Sequence, residues 1–124
     1  EILAKEPLQV WSFGPVLLDA EGKVRETFEV NQTVSYTNPR AAIGYYEPGH
    51  YCFVVVDGRQ KGHSAGMKIP QLAQIFAAYN LDGGGTAVML FDQEIFSRQS
   101  NGGRDLGDIL LITEAGYQAE EAAE

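Results

Sequence analysis

Apolar residues in this chain fall mostly into short runs that are separated by turn residues. The clearest runs are residues 41–46 and 51–56, which flank a Pro48-Gly49 pair. Runs of aromatic and β-branched residues on either side of a Pro-Gly turn predict a β-hairpin. Because residues 54–56 are consecutive valines, we expect the second strand to be covered on both faces.

One segment has the spacing of an amphipathic helix. Leu72, Ile75, Phe76 and Tyr79 stand at positions i, i+3, i+4 and i+7, after an Ile69-Pro70 pair. Proline suits the first turn of a helix, and the spacing places the four apolar side chains on one face. The pattern therefore predicts one principal helix that begins at Ile69.

The remaining segments predict further strands and loops. Residues 8–18 are interpreted as a strand that is interrupted at Gly14-Pro15, and residues 23–30 as a short exposed strand or a surface loop. A strand is expected over 86–91, a turn at Asp92-Gln93 into residues 94–97, a loop over 98–107 and a last buried strand over 108–113. This order indicates an α+β fold with a mixed or antiparallel sheet and one packed helix.

Composition and charge argue against some classes of function. The 124 residues suffice for one domain, and no apolar run approaches the length of a membrane span. A net charge of −8 argues against sequence-independent nucleic-acid binding, but it permits a small phosphate held by local arginines. Cys52 is the single cysteine, so no internal disulfide is possible, and a buried thiol is expected there.

Three segments place polar residues directly after apolar strands: residues 38–40, 56–59 and 80–85. The run Gly83-Gly84-Gly85 is interpreted either as a flexible turn or as a backbone that approaches an anion closely through its N–H groups. Asp82 and Asp57 each have two interpretations, a turn cap or an acid/base group.

Arginines and histidines complete the set of candidates. Arg40, Arg59 and Arg104 lie beside turn residues, where guanidinium groups suit phosphate oxygens, although each alone is typical of a surface arginine. His50 and His63 have no metal-ligand spacing, so they are expected to be exposed loop histidines. The chain has no zinc, P-loop or dinucleotide-binding motif, and we predict no metal and no cofactor.

Taken in order, three motifs resemble the phosphodiester glycosidase family. They are Asn38-Pro39-Arg40, Asp57-Gly58-Arg59 and Asn80-Leu81-Asp82-Gly83-Gly84. This family includes N-acetylglucosamine-1-phosphodiester α-N-acetylglucosaminidase and bacterial relatives that are often labelled exopolysaccharide-biosynthesis proteins. The similarity extends from about residue 9 to residue 114.

The resemblance implies a hydrolase that cleaves a small-molecule or glycan sugar-1-phosphodiester in a secreted or cell-envelope setting. It implies Asp82 as the acid/base or nucleophilic carboxylate, with Asp57 as the available second carboxylate. The implied substrate-binding residues are Arg40, Arg59, Asn80, Gly83, Gly84, Gly85, Thr86 and Arg104.

The resemblance also sets an expectation for domain organisation. Residues 1–114 are expected to be the C-terminal portion of the family domain, without its Asn-Gly-Gly-Phe-Phe-like strand, and residues 115–124 an acidic tail. Pairing of such a portion with the missing segment or with another chain is a further expectation. Two alternatives stay open: a remnant that binds carbohydrate or phosphate without turnover, and an α+β domain whose motifs are ordinary turns.

Overall fold

A three-stranded antiparallel sheet forms the centre of the computed structural model, which describes residues 13–75, 79–105, 107 and 109–113. Its strands are β1 (Arg40–Glu47), β2 (His50–Val56) and β3 (Tyr79–Asn80), in the order β2-β1-β3. A separate antiparallel pair consists of β4 (Leu90–Phe91) and β5 (Glu94–Ile95).

The helical elements are short. They are α1 (Gln32–Ser35), α2 (Ile69–Ala73) and two 3-10 turns, at Gly84–Thr86 and Ser100–Gly102. Together with the antiparallel sheets they confirm the α+β class. Within the described ranges, no helix combines the length and hydrophobicity that crossing a membrane requires.

The hairpin of β1 and β2 confirms the prediction made from the Pro48-Gly49 turn. Gly49 has φ +80°, a conformation that glycine adopts at little cost. The register pairs Arg40 with Val56, so residues 38–39 and 57–59 lie side by side at the end of the sheet. Strand β3 joins the other edge of β1 by pairing Asn80 with Ala42, which brings residues 80–83 to the same end.

The core lies between the sheet and α2. Leu17, Ala42, Ile69, Leu72 and Ala73 are buried together, and half-buried residues that include Val54 and Val56 pack against them. The consecutive valines are thus half-buried in the described structure. Cys52 is also half-buried, where full burial was expected.

The predicted helix begins at Ile69 but is shorter than its apolar spacing suggests. It ends at Ala73, Ile75 is 38% exposed, and Phe76 lies outside the described residues. Tyr79 belongs to β3, so its placement on the helix was wrong. Its backbone pairs with Ile43 and Val16, and its hydroxyl donates to the carbonyl of Phe13, so long-range pairing overrides the local helical pattern.

Other segments depart from the predicted strands. The strand expected over 86–91 is present only as β4, since Thr86 belongs to the 3-10 turn Gly84–Thr86 and residues 87–89 are irregular. Residues 109–113 are irregular and expose Ile109, Leu111 and Ile112, so a buried strand there was wrong. The Asp92-Gln93 turn is confirmed, with φ values of 48° and 65°.

The N-terminal expectations are met in part. Of residues 8–18, those up to residue 12 lie outside the described residues, and Val16 and Leu18 each form one isolated bridge. Residues 23–30 form a surface loop in which Val24 bridges to Leu18. Residues 108 and 115–124 also lie outside the described residues.

Three glycines from separate segments pack against Asn38-Pro39, and we call this contact the glycine junction. A Cβ at Gly58 would lie 2.7 Å from Pro39 N, one at Gly66 2.4 Å from the carbonyl carbon of Asn38, and one at Gly83 2.7 Å from Pro39 O. No side chain fits at such distances. The glycines therefore allow three segments to converge where β1 begins.

Candidate functional site

A cavity of about 440 Å³ opens beside the glycine junction, at the end of the sheet where β1 begins. Most of the predicted site residues line it: Arg40, Arg59, Asn80, Asp82, Gly83, Gly84, Gly85 and Arg104. The hairpin register and the β1–β3 pairing bring these residues together from distant parts of the sequence. Asp57 and Thr86 are not among the lining residues.

Arg40 lines the cavity and is held by three hydrogen bonds to backbone carbonyls. It is 3% exposed, its Nε donates to Met67 O at 2.8 Å, and its Nη2 donates to Val34 O and Tyr36 O, both at 2.7 Å. Burial, and then the charge of Arg59, lower the pKa of Arg40 from its ordinary value. Within the described ranges, no carboxylate forms an ion pair with it.

Arg59 is fixed by Asn38. Its Nη2 and Nε donate to Asn38 Oδ1 at 2.7 and 3.2 Å, while Asn38 Nδ2 donates to Thr33 O and Tyr36 O. The guanidinium lies over Gly84, where an added Cβ would be 3.4 Å from Nη1. This is an ordinary van der Waals distance, so the positive φ of Gly84, +67°, is what favours glycine at this position.

Arg40 and Arg59 together give the cavity a positive charge that no described acidic side chain neutralises directly. In each guanidinium, Nη1 makes no hydrogen bond to the part of the chain that the structure describes. Two cations that repel each other and keep free donors constitute an environment suited to an anion.

Asp82 supplies the one carboxylate among the described lining residues. Its Oδ1 accepts from Gly83 N at 2.9 Å and its Oδ2 from Arg104 Nη2 at 2.7 Å. The Arg104 side chain is 60% exposed and packs its aliphatic part near Gly85, 3.5 Å from the Cβ position. Asp82 is therefore a carboxylate oriented through both of its oxygens.

The glycine run contributes fewer free amides than three adjacent glycines suggest. Gly83 N–H donates to Asp82, and Gly84 N–H donates to Pro39 O at 3.0 Å. Gly85 N–H has no acceptor among the described residues. One backbone donor of the run, Gly85 N–H, is therefore left without a described acceptor, and close packing limits the run at Gly83.

Asp57 and Thr86 hold loops in place. Asp57 Oδ2 bonds to His63 Nε2 at 2.8 Å and Asp57 Oδ1 accepts from Arg98 N at 2.7 Å, which ties the end of β2 to the segment that leads to Ser100. The His63 hydrogen bond lowers the pKa of Asp57. Thr86 Oγ1 donates to Gly83 O at 2.7 Å. Both oxygens of Asp57 are thus engaged outside the cavity.

Two residues that line the cavity, Asn80 and Ser100, each have a buried polar atom without a partner among the described residues, Asn80 Oδ1 and Ser100 Oγ. Asn80 is 5% exposed and was predicted from its motif. Ser100 is 2% exposed and was missed. A serine in a polar, glycine-rich stretch carries no signal in the sequence, because its burial arises only when the loop folds over the cavity.

Metal ligands are not grouped in this structure. Across the described ranges, no three His, Cys, Asp or Glu side chains gather closely enough to hold an ion. His63 is paired with Asp57, and exposed His50 lies 3.7 Å from a Glu47 oxygen.

Comparison with known proteins agrees with this combination of motifs and geometry. The family model described as phosphodiester glycosidase matches residues 3–113. The chain belongs to the phosphodiester glycosidase family, which confirms the resemblance noted in the sequence. No curated protein and no solved structure matches it at a significant level.

Proposed function

We propose that this protein hydrolyses a sugar-1-phosphodiester. In this reaction the bond between the sugar C1 and the phosphate oxygen breaks, water adds to C1, and a phosphomonoester stays on the other partner. The observation that carries the proposal is a pair of guanidinium groups, Arg40 and Arg59, that form no ion pair with a described carboxylate and share their cavity with one oriented carboxylate, Asp82.

The arginines are assigned to the phosphate. Among the described residues, Nη1 of Arg40, Nη1 of Arg59 and the N–H of Gly85 have no acceptor, so these groups are available to donate to its oxygens. A bound anion offsets the repulsion between the two guanidinium groups. Arg104, at the exposed side of the cavity, adds a third positive charge.

Asp82 is assigned to the sugar C1. Glycosidases usually use two carboxylates, one as an acid for the leaving group. A phosphomonoester leaves as a stabilised anion, so the arginines replace much of the need for an acid. Asp82 then acts either by attacking C1 and forming a glycosyl-enzyme that water hydrolyses, or by taking a proton from the water that attacks C1.

The family suggests the first substrate to test. An N-acetylglucosamine-1-phosphodiester, as found in an exopolysaccharide, fits the chemistry that the resemblance implies. Asn80, buried beside Asp82, is assigned to orienting its sugar.

The test is hydrolysis of a synthetic N-acetylglucosamine 1-(methyl phosphodiester). The release of free sugar is measured over time. Asp82→Asn is expected to lower kcat by about 100-fold or more, because the amide neither attacks C1 nor accepts a proton. Asp92→Asn is the matched control, since Asp92 lies in the β4–β5 turn away from the cavity. Arg59→Gln is expected to raise KM and lower kcat, whereas exposed Arg25→Gln changes neither.

A second candidate is a domain that binds a sugar phosphodiester without turnover. The single carboxylate among the described lining residues favours it. Saturable binding that is lost in Arg59→Gln, with no hydrolysis by the native chain, would establish this alternative. Full activity in Asp82→Asn would refute the assignment of Asp82.

A further inference from the structure

Residues 98–104, which we call the strap, contribute one part of the cavity wall. Ser100, Asn101, Gly103 and Arg104 of the strap are among the lining residues. Within the described ranges, no backbone–backbone hydrogen bond joins the strap to another segment. The position of the strap against the rest of the fold therefore depends on side-chain hydrogen bonds and on packing.

Two side chains from the turn that follows β2 hold the first residue of the strap. Asp57 Oδ1 accepts from Arg98 N at 2.7 Å, and Gln60 Nε2 donates to Arg98 O at 2.6 Å. Both backbone polar groups of Arg98 are thus bound by side chains of one turn. We call this pair of hydrogen bonds the clasp.

The clasp belongs to the same turn as Arg59, one of the two arginines assigned to the phosphate. Arg59 lies between Asp57 and Gln60 and has φ 56°, which is uncommon for a residue other than glycine. Costly backbone conformations persist where the surrounding contacts determine them, and they are concentrated at functional sites. In this turn, the Arg59 side chain is bound to Asn38 and its two neighbours are bound to the strap.

The other end of the strap contacts the carboxylate that is assigned to the sugar C1. Arg104 Nη2 donates to Asp82 Oδ2 at 2.7 Å, and the two side chains are 60% and 37% exposed. An ion pair this exposed contributes little by itself. The pair forms more readily when the backbone of Arg104 is already in place, because less conformational freedom is then lost.

We propose that Asp57 and Gln60 are positioning residues, which hold the strap so that Arg104 reaches Asp82. This rests on the proposed function, and it gives Asp57 a role other than that of a second catalytic carboxylate. Asp57 and Gln60 are not among the cavity-lining residues, so they act on the substrate through the strap.

Trypsin cleavage after Arg98 measures how firmly the clasp holds. The Arg98 side chain is exposed, and a protease needs a locally opened backbone, so the cleavage rate follows the population in which the strap is released. Gln60→Met keeps the length of the side chain and removes the donor. It is expected to raise this rate by about fivefold, the equivalent of one hydrogen bond.

Two controls accompany this measurement. Cleavage after Arg25, in the surface loop over 23–30, is expected to keep the same rate in every variant. Gln74→Met is the matched substitution, because Gln74 is exposed and its side chain makes no hydrogen bond in the part of the chain that the structure describes. It is expected to change neither rate.

Two substitutions of Asp57 separate positioning from catalysis. Asparagine keeps an oxygen that accepts from Arg98 N–H, whereas alanine does not. Asp57→Asn is therefore expected to keep the cleavage rate at Arg98 and the kcat within about twofold of the native values, while Asp57→Ala raises the cleavage rate by about fivefold. A fall in kcat of about 100-fold in Asp57→Asn would show that Asp57 is itself a catalytic carboxylate, and would overturn the proposal.

A double variant shows whether the effect passes through Arg104. Gln60→Met and Arg104→Gln are each expected to lower kcat/KM for the sugar phosphodiester, by up to about tenfold. The variant that carries both changes is expected to be no less active than Arg104→Gln alone, because residues that act through one contact are not additive. Losses that multiply would overturn the proposed route.

The outcomes keep this proposal separate from hydrolysis. Unchanged cleavage at Arg98 in Gln60→Met overturns the clasp, even where the native chain is an active hydrolase; this variant decides the point if Asp57→Ala does not fold. Faster cleavage with unchanged kcat/KM overturns the positioning role. Absence of hydrolysis by the native chain overturns the proposed function and the catalytic role of the strap, while faster cleavage in Gln60→Met still supports the clasp.

Discussion

The glycine junction predicts that Gly66→Ala is one of the most damaging small substitutions in this protein. Gly66 has φ +101°, and a Cβ there would lie 2.4 Å from both the carbonyl carbon and the oxygen of Asn38. The substitution therefore adds backbone strain and a collision with backbone atoms that a side-chain rotation cannot relieve.

The magnitude follows from these two costs. An L side chain at positive φ costs about 1–2 kcal/mol, and forcing extra atoms into a packed region costs about 1–3 kcal/mol. Gly66→Ala is thus expected to lower the free energy of unfolding by about 3 kcal/mol or more. Domains are stable by about 5–15 kcal/mol in total, so the loss is a large share.

Substitutions at two neighbouring glycines allow the backbone strain and the steric collision to be measured separately. Gly62 has φ +79° with no atom within 4 Å of its Cβ position, so Gly62→Ala measures the strain alone. Gly58 has no positive φ, but its Cβ would lie 2.7 Å from Pro39 N, so Gly58→Ala measures the collision alone. The Gly66→Ala cost is expected to be close to the sum of the other two.

Urea unfolding with linear extrapolation gives the three free energies on one scale. A Gly66→Ala cost that does not exceed the Gly62→Ala cost would refute the reasoning, since it would mean that Asn38 leaves room for a methyl group. A Gly58→Ala cost near zero would count equally against the close packing.

Two further predictions concern side chains around the site. The His63 hydrogen bond lowers the pKa of Asp57 below its ordinary 3.8, so this stabilisation is present above pH 3.8 and disappears as the pH falls through the lowered pKa. The urea midpoint of Asp57→Asn should therefore lie below that of the native chain at pH 7 and approach it in acid; a constant difference would contradict the linkage. Because the Arg104–Asp82 pair is largely exposed, Arg104→Gln is expected to change the free energy of unfolding by less than about 1 kcal/mol. Its kcat/KM for the sugar phosphodiester should nevertheless fall about tenfold, and a stability loss without an activity loss would assign Arg104 a structural role only.

Local signals in the sequence predicted the parts of the fold that local interactions determine. The Pro48-Gly49 and Asp92-Gln93 turns correctly predicted the two hairpins, and the Ile69-Pro70 pair correctly predicted where α2 begins. Tyr79 shows the limit of this reasoning. Its spacing fits a helix, but backbone pairing with Ile43 places it in β3, and such pairing is not visible in a local window.

In the site, too, some residues could be predicted from the sequence and others depend on long-range contacts. Most of the site residues that the motifs predicted line the cavity, because strand ends that share one edge of a sheet meet in space. Asp57 matched a motif too, yet its carboxylate bonds to His63 and to Arg98 N. Ser100 matched no pattern at all, since burial of a hydroxyl depends on how the loop folds.

The glycine junction also determines the stage of folding at which the cavity forms. It joins chain segments that are far apart in sequence, and such contacts form only after large loops have closed. The unfolded chain therefore has no partial version of this pocket. An anion that binds there, as we propose, would stabilise only the folded state, so a rise in the melting temperature would report its binding.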